Sequence, residues 1–348
     1  MSRRSLALAT LLALAASLLG VTAVRSGGVP GPLSAPAQAE AQAPRALAYR
    51  NPVLRGDFPD PSVLRVGETY WATTTASWRG PGFPILRSGD AVHWTRVGQV
   101  FPRIPSWISD SLWAPELVRD PDRDRYLLYY SARRARGPLC VAVADAPSPA
   151  GPWSDHGPLV CQRLGSIDPT RTTDEQGRPW LIWKEDGNNY GRQTRIWAKP
   201  LTEDGLAFSG PKHLLLRNYA RWEGGVVEAP EVVRHGGWTY LFYSGNGCCR
   251  PRCAYALGVA RSRTLLGPWR RDPANPILRG NDHWNCPGHA SFFDDGQGHD
   301  LVLYHAYRAR LRGDQRRLGL LDQVQWDASG WPSIAGGHGP SLSASLPG

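Results

Sequence analysis

Short apolar runs recur along this chain from about residue 50 to residue 332, each closed by a turn rich in Gly, Asp, Arg or Pro. Runs such as "YLLYYS", "WLIWK", "TYLFYS" and "LVLYH" are dense in aromatic and branched aliphatic residues, the composition of strands. No stretch in this region carries the 3.6-residue apolar period of a helix. Turn signals return at the short spacing of all-β proteins.

The runs are organised in a longer repeat, which has to be read before any single motif. Five phrases share one plan: "FPDPSVL" from Phe58, "LWAPELV" from Leu112, "SIDPTRT" from Ser166, "VEAPEVV" from Val227 and "CPGHASF" from Cys286. Each opens with a polar or aromatic residue near Pro or Gly and runs into an apolar stretch, a turn and an aromatic-rich strand. Pro61, Pro115 and Pro169 are 54 apart; the next intervals, to Pro230 and Ala290, are 61 and 60. Between the phrases lie two further strand-like segments, and "GPW" closes one of them twice, at Trp153 and Trp269. Five units of about four strands predict an all-β, single-domain, five-bladed β-propeller. A sandwich does not require five equal repeats, and a β-helix repeat is much shorter.

Residues that open the innermost strand of each blade converge at one end of a propeller's axis. The repeat therefore nominates Asp60, Trp113, Asp168, Glu228 and His289 as one site. Three carboxylates in a confined channel repel one another, which costs stability and points to chemistry. Glycoside hydrolysis needs two carboxylates, one to protonate the leaving oxygen and one to activate water or attack the sugar; a third can tune the acid. Carboxylates placed across an axial channel favour the wide spacing that admits a water and gives inversion. Aligned on proline, Asp60 and Asp168 match Ala229, one place after Glu228, so a bulge or shifted strand start is expected in units 2 and 4. Glu231 matches Ser62, Glu116 and Thr170, a position polar in each of those units, and reads as scaffold.

Composition adds context. Arg3 and Arg4, an apolar stretch to Val24 and small-residue cleavage sites after Ala39 or Ala43 read as a secretory signal and linker, residues 1–43. An uncleaved anchor is the alternative, and either places the rest outside the cytoplasm, secreted or periplasmic. Residues 44–332 form the expected catalytic propeller and 333–348 a flexible tail. The six cysteines then imply disulfides, with Cys140 and Cys161 one pair and Cys248, Cys249, Cys253 and Cys286 two more of open connectivity. The spacing of "CCRPRC" fits no zinc ribbon. Fifteen Trp and twelve Tyr suit the flat faces of sugars. The formal charge of +10 reflects 40 Lys and Arg against 30 Asp and Glu, with Arg far outnumbering Lys and scattered except for "ARLRGDQRR". It reads as a solvated surface rather than a nucleic-acid site, and a basic protein binding acidic polymers is the rival.

"NPVLRGDFPDPSVL", "WAPEL", "SIDPT", "VVEAPEVV", "PGHASF" and "RRLGLLDQVQWDASGWP", in this order from Asn51 to Pro332, resemble glycoside hydrolase family 43. The resemblance implies a five-bladed propeller that inverts configuration, with Asp60 as general base, Glu228 as general acid and Asp168 as modulator of the acid's pKa. It implies arabinose- or xylose-containing substrates, α-L-arabinofuranosidase or β-xylosidase activity foremost, and endo-arabinanase as the alternative on the same fold. It also implies substrate contacts from Trp113, His289 and one of Arg316 and Arg317, here Arg317, and a calcium-associated place for His289 in the central channel. No cofactor is required for the chemistry. Trp107 and Trp284 are further candidates for the pocket wall. The family's Glu-Gly-Pro reads Glu-Ala-Pro here, a departure of one methyl group. A carbohydrate is the expected partner, with no nucleic acid, no stable membrane partner and a monomeric chain. A non-catalytic sugar-binding propeller would keep the aromatics and lose the acids.

Overall fold

The computed structural model describes residues 46–76, 82–249, 253–309 and 316–346, all within the unit Pro44–Gly348. The expected signal and linker, 1–43, and most of the Arg-rich stretch lie outside the described residues.

Five four-stranded antiparallel sheets follow one another along the chain as the five blades of a propeller. Blade 1 contains Ser62–Val66, Thr69–Thr73, Pro84–Ser88 and Thr95–Gln99; blade 2 contains Ile108–Asp120, Arg125–Arg134, Leu139–Ala146 and Ser154–Val160. Blade 3 contains Ser166–Thr173, Pro179–Glu185, Arg195–Pro200 and His213–Arg217; blade 4 contains Val227–His235, Trp238–Gly245, Ala256–Ser262 and Arg270–Arg271. Blade 5 contains Trp284–Asp294, Asp300–Arg308, Leu318–Trp326 and Pro332–Ile334. The two "GPW" turns join third to fourth strands in blades 2 and 4, each through a cis Gly–Pro bond.

The second strands are apolar on both faces because each blade is packed between two others. In blade 2, Leu128 and Tyr130 pack with Phe83 and Ile85 of blade 1, while the alternating Leu127 and Tyr129 pack with Leu181 and Trp183 of blade 3. All four blade 2 residues are fully buried. Each such side chain contributes roughly 1.5–3 kcal/mol by leaving water.

The tail expected over 333–348 is not a tail over its described part. Ser343–Leu346 pairs antiparallel with Leu47–Arg50, and Leu346 is buried. Asn51 locks this ribbon to blade 5: its Nδ2 donates to Leu321 O (2.9 Å) and its Oδ1 accepts from Leu321 N (2.9 Å). The polar "SLSASL" hid a strand because only one of its faces meets the core. The disulfides are Cys140–Cys161, as expected, with Cys248–Cys249 and Cys253–Cys286.

One backbone device recurs in all five blades. Asp60, Ala114, Asp168, Ala229 and His289 have φ of 53, 44, 55, 50 and 50°, in the left-handed region. A non-glycine residue there costs roughly 1–2 kcal/mol. Asp and His tolerate it better than most, and the following proline in the first four blades disfavours the right-handed alternative. The register of blades 2 to 5 slips at this kink, between Trp113 and Glu116, Ile167 and Thr170, Glu228 and Glu231, and Gly288 and Ser291. The bulge expected only in units 2 and 4 is thus common to units 2 through 5, and the same left-handed residue precedes the first strand of blade 1. The kink residues are Asp60, Ala114, Asp168, Ala229 and His289, whereas Trp113 and Glu228 stand one residue earlier.

Two residues past each kink runs a second ring of polar contacts. Ser62 Oγ donates to Glu116 Oε2 (3.0 Å), and Thr170 Oγ1 lies within hydrogen-bond distance of both Glu116 Oε1 (3.2 Å) and Glu231 Oε2 (3.0 Å). Ser291 Oγ accepts from Val63 N (3.0 Å), carrying the ring from blade 5 back to blade 1. Glu231 is the blade-joining residue its position indicated.

Candidate active site

The left-handed kink turns its side chain toward the axis, and the two aspartates in kinks meet the glutamate one residue earlier. All three carboxylates are buried. A groove of about 1090 Å³ lined by Tyr49, Phe58, Trp94 and Arg96 lies elsewhere, and none of the three carboxylates borders it. Carboxylate environment rather than cavity size therefore marks the site.

Asp60 lies among a guanidinium, two imidazoles and a hydroxyl. Its Oδ1 is 3.0 Å from Arg317 Nη1, 3.3 Å from His289 Nδ1 and 3.2 Å from His305 Nδ1. Its Oδ2 accepts from Thr75 Oγ1 at 2.6 Å. Burial alone would raise its pKa, but Arg317, then His289 and His305, outweigh burial and hold the carboxyl well below the usual range. His305 is itself pushed down to about 4 by burial, against the pull of Asp60, and is neutral at pH 7. Both the Asp60 backbone N–H and Asp60 Oδ1 lie 3.2 Å from its Nδ1.

Asp168 is the opposite case. Burial raises its pKa to about 7, with the charges of Glu228 and Asp60 adding and His289 and Lys184 opposing. Its Oδ2 accepts from Ala229 N (3.0 Å), and its own N–H donates to Ser131 Oγ (3.0 Å). Glu228 has Lys184 Nζ at 2.6 Å from Oε2. Burial would raise its pKa too, but the charge and hydrogen bond of Lys184, helped by Tyr255, bring it below the ordinary value. Asp168 and Glu228 titrate as one pair. In the free site the ammonium favours the negative charge on Glu228 and any proton of the pair on Asp168.

The fold brings Asp60, Asp168, Glu228, His289 and Arg317 together. Trp113 is 36 % exposed, one residue before its kink, the same offset as Glu228. Trp107 and Trp284 are not pocket walls. The Trp107 ring packs near Tyr130 while its Nε1 donates to Asp155 Oδ2 (2.8 Å); Trp284 is fully buried and donates to Ser341 O (3.1 Å). The Ala229 departure is also more than a methyl group, since it puts an L-residue at φ 50°. Among the described residues no group of three His, Cys, Asp or Glu side chains is arranged to hold a metal, and His289 Nδ1 is turned to Asp60. The side chains do not build a calcium cage, and no step below passes through a metal.

Sequence reading missed Thr75, Lys184, Tyr255 and His305. Tyr255 is buried, helps lower the Glu228 pKa and stacks on His305 with ring centroids 5.8 Å apart. Three of the four were accessible by laying the second strands in phase, "TYWATTT", "RYLLYYS", "RPWLIWK", "WTYLFYS" and "HDLVLYH", where the last residues are Thr75, Ser131, Lys184, Ser244 and His305.

The glycosyl hydrolases family 43 model matches residues 49–332. A xylosidase/arabinosidase of Butyrivibrio fibrisolvens is 28% identical over 308 residues, covering 83% of this chain and 57% of the relative. The extracellular exo-alpha-(1->5)-L-arabinofuranosidase ArbA of Cellvibrio japonicus is 28% identical, covering 80% of this chain and 86% of the relative. The solved structure of a thermostable family-43 glycoside hydrolase superposes with a TM-score of 0.75 at 27% identity, covering 85% of this chain and 97% of that one. The chain thus spans little more than half the length of the first of these relatives and most of the second. With the fold, the carboxylates and the match over residues 49–332 in agreement, this chain belongs to glycosyl hydrolases family 43.

Proposed function

We propose that the chain hydrolyses glycosidic bonds of arabinose- or xylose-containing plant polysaccharides or oligosaccharides with inversion, as an α-L-arabinofuranosidase or β-xylosidase. The reading is carried by one observation: three buried carboxylates from blades 1, 3 and 4 share one site, Asp60 held by Arg317 and Thr75, Glu228 by Lys184, and Asp168 by the backbone N–H of Ala229. Relatives named for arabinofuranosidase and xylosidase activity supply the substrate class.

Asp60 is the base. Arg317 keeps it ionised, and Thr75, Arg317 and His289 fix its orientation, so it can take a proton from a water attacking the anomeric carbon. Glu228 is the acid and Asp168 its modulator. The proton shared by the pair passes to Glu228 once the glycoside is bound, and from there to the leaving oxygen. Trp113 offers its exposed ring to the sugar face, and Arg317 and His289 complete the pocket. The protein acts as a monomer outside the cytoplasm, in keeping with the signal-like N-terminus and three disulfides.

Aryl arabinofuranoside, aryl xyloside and linear arabinan, assayed with the wild type beside Glu228→Gln and Asp60→Asn, test the reading. Turnover of at least one aryl glycoside is expected, falling by about 10²–10⁴-fold in each variant. Normal turnover in both variants sinks the assignment, and cleavage of arabinan alone selects the endo-arabinanase. Proton NMR of the first-formed anomer tests inversion; a retained anomer contradicts a water-activating Asp60.

A further inference from the structure

Lys184 differs from its counterparts in the other blades in a way that scaffolding does not explain. At the same second-strand position, Thr75, Ser131, Ser244 and His305 each accept the backbone N–H of the next blade's kink residue. The bonds are Ala114 N to Thr75 Oγ1 (2.7 Å), Asp168 N to Ser131 Oγ (3.0 Å), His289 N to Ser244 Oγ (2.9 Å) and Asp60 N to His305 Nδ1 (3.2 Å). An ammonium has no acceptor. The fifth N–H, at Ala229, therefore turns to Asp168 Oδ2 (3.0 Å) instead. Blade 3 gives up a joint that the other four make and holds a buried cation in its place.

The exchange is costly on its face. Lys184 is 1% exposed, and a buried ammonium loses several kcal/mol of hydration unless it is well paired. Two carboxylates pair it, Glu228 Oε2 at 2.6 Å and Asp186 Oδ1 at 2.9 Å. Only three of the chain's 40 basic residues are lysine, at 184, 199 and 212. A compact ammonium, rather than the planar fork of arginine, stands where the space is closed.

Glu228 is faced from blade 3 by Lys184 and Asp168, with Asp186 behind the lysine. Tyr255 of its own blade and His289 of blade 5 face it from the other sides, and Asp60 and Arg317 lie beyond His289 and Asp168. We propose that Lys184 is a positioning residue for the reaction: it clamps the Glu228 carboxylate from the blade 3 side and governs which member of the Asp168 and Glu228 pair holds the shared proton. The proposal rests on the acid role given to Glu228 above. Asp186 is its counterweight, drawing part of the ammonium's charge away from the pair.

The two partners then have opposite signatures. Activity requires a proton on the pair, so it is lost at alkaline pH as that proton leaves. Lys184→Met removes the cation that favours proton loss and moves the alkaline limb of the kcat/KM profile up by about one pH unit or more. Asp186→Asn keeps the side chain's shape and leaves Lys184 wholly to the pair, which moves the same limb down. A merely structural loss lowers activity at all pH values and displaces neither limb. Thermal melting and circular dichroism establish which variants are folded; should Lys184→Met not fold, the downward shift of Asp186→Asn decides the matter alone. Limbs that stay in place in every folded variant, or that move the same way in both, overturn the proposal while leaving the enzyme assignment intact. A wild type that turns over none of the glycosides, or a Glu228→Gln as active as wild type, removes the acid role and the clamp with it.

Discussion

Two rings of polar residues, two positions apart on the same five strands, surround their carboxylates with different partners. At the kink ring, Asp60 faces Arg317 and His289, and Glu228, one residue before its kink, faces Lys184; both carboxyls are driven below their ordinary pKa values against the effect of burial, whereas Asp168, hydrogen-bonded to a backbone amide, is raised to about 7. In the ring beyond it, Glu116 and Glu231 face the hydroxyls of Ser62 and Thr170 and no cation partner among the described residues. Burial pushes Glu116 up to about 7, and burial with repulsion from Glu116 pushes Glu231 well above the usual range. Hydroxyl and amide partners satisfy a protonated carboxyl and join blades. Cations keep a carboxylate charged in a site where charge does work on a substrate. Buried acidity alone does not separate the two; the partner does.

Arg317→Gln tests the kink ring most severely. The lost charge-assisted bond lowers kcat/KM by roughly 10- to 10²-fold. Asp60 must be ionised to act, so activity falls as pH drops through its pKa; without Arg317 that pKa rises, and the acid limb moves to higher pH. A limb left in place breaks the link between the arginine and the base. Glu231→Gln tests the other ring and is expected to leave the rate nearly unchanged while altering stability. A carboxyl whose folded pKa is raised stabilises the fold most below its unfolded value near 4.5, and this is lost as pH rises toward the folded pKa. Melting curves are therefore expected to show Glu231→Gln gaining roughly 1 kcal/mol or more at pH 8 and little at pH 4. A large loss of activity instead would make the second ring part of the site. The smallest effect belongs to Ala229→Gly. Relief of the left-handed strain and the greater freedom of the unfolded chain largely offset, so stability changes by less than about 1 kcal/mol. A marked drop in rate there would show that the Ala229 methyl group itself positions Glu228.

Much of this was legible in the sequence because one backbone event is written five times. Four of the five kinks are followed by proline, which keeps the repeat visible although its spacing changes from 54 to 61. The carboxylates stood out against that frame, and Glu231 was separable from Glu228 by phase alone. Lys184 was not noticed because its meaning lies in a comparison across blades: its counterparts are Thr, Ser, Ser and His, alike in accepting a hydrogen bond and unlike in name. Tyr255 precedes a third strand and carries no phase signal at all. Trp107 and Trp284 misled because tryptophan serves a sugar platform and a packed core equally well, and only their indole partners tell them apart. The C-terminal strand was hidden by its serines, which are acceptable on a ribbon with one wet face.

The pairing of Leu47–Arg50 with Ser343–Leu346 has a consequence for how the chain reaches this form. Nearly 300 residues separate the two strands, so their contact has the largest loop-closure entropy in the molecule, though that cost grows only slowly with length. During synthesis the five blades can stack in order as they emerge, and blade 5 reaches blade 1 through Ser291 with Val63 and His305 with Asp60 before the last segment arrives to pair with Leu47–Arg50. Locking of the ribbon is thus a late, long-range step, and an arrest shortly before residue 343 is expected to leave five blades with Leu47–Arg50 unpaired and the apolar surface that Leu346 covers exposed, a species prone to aggregate.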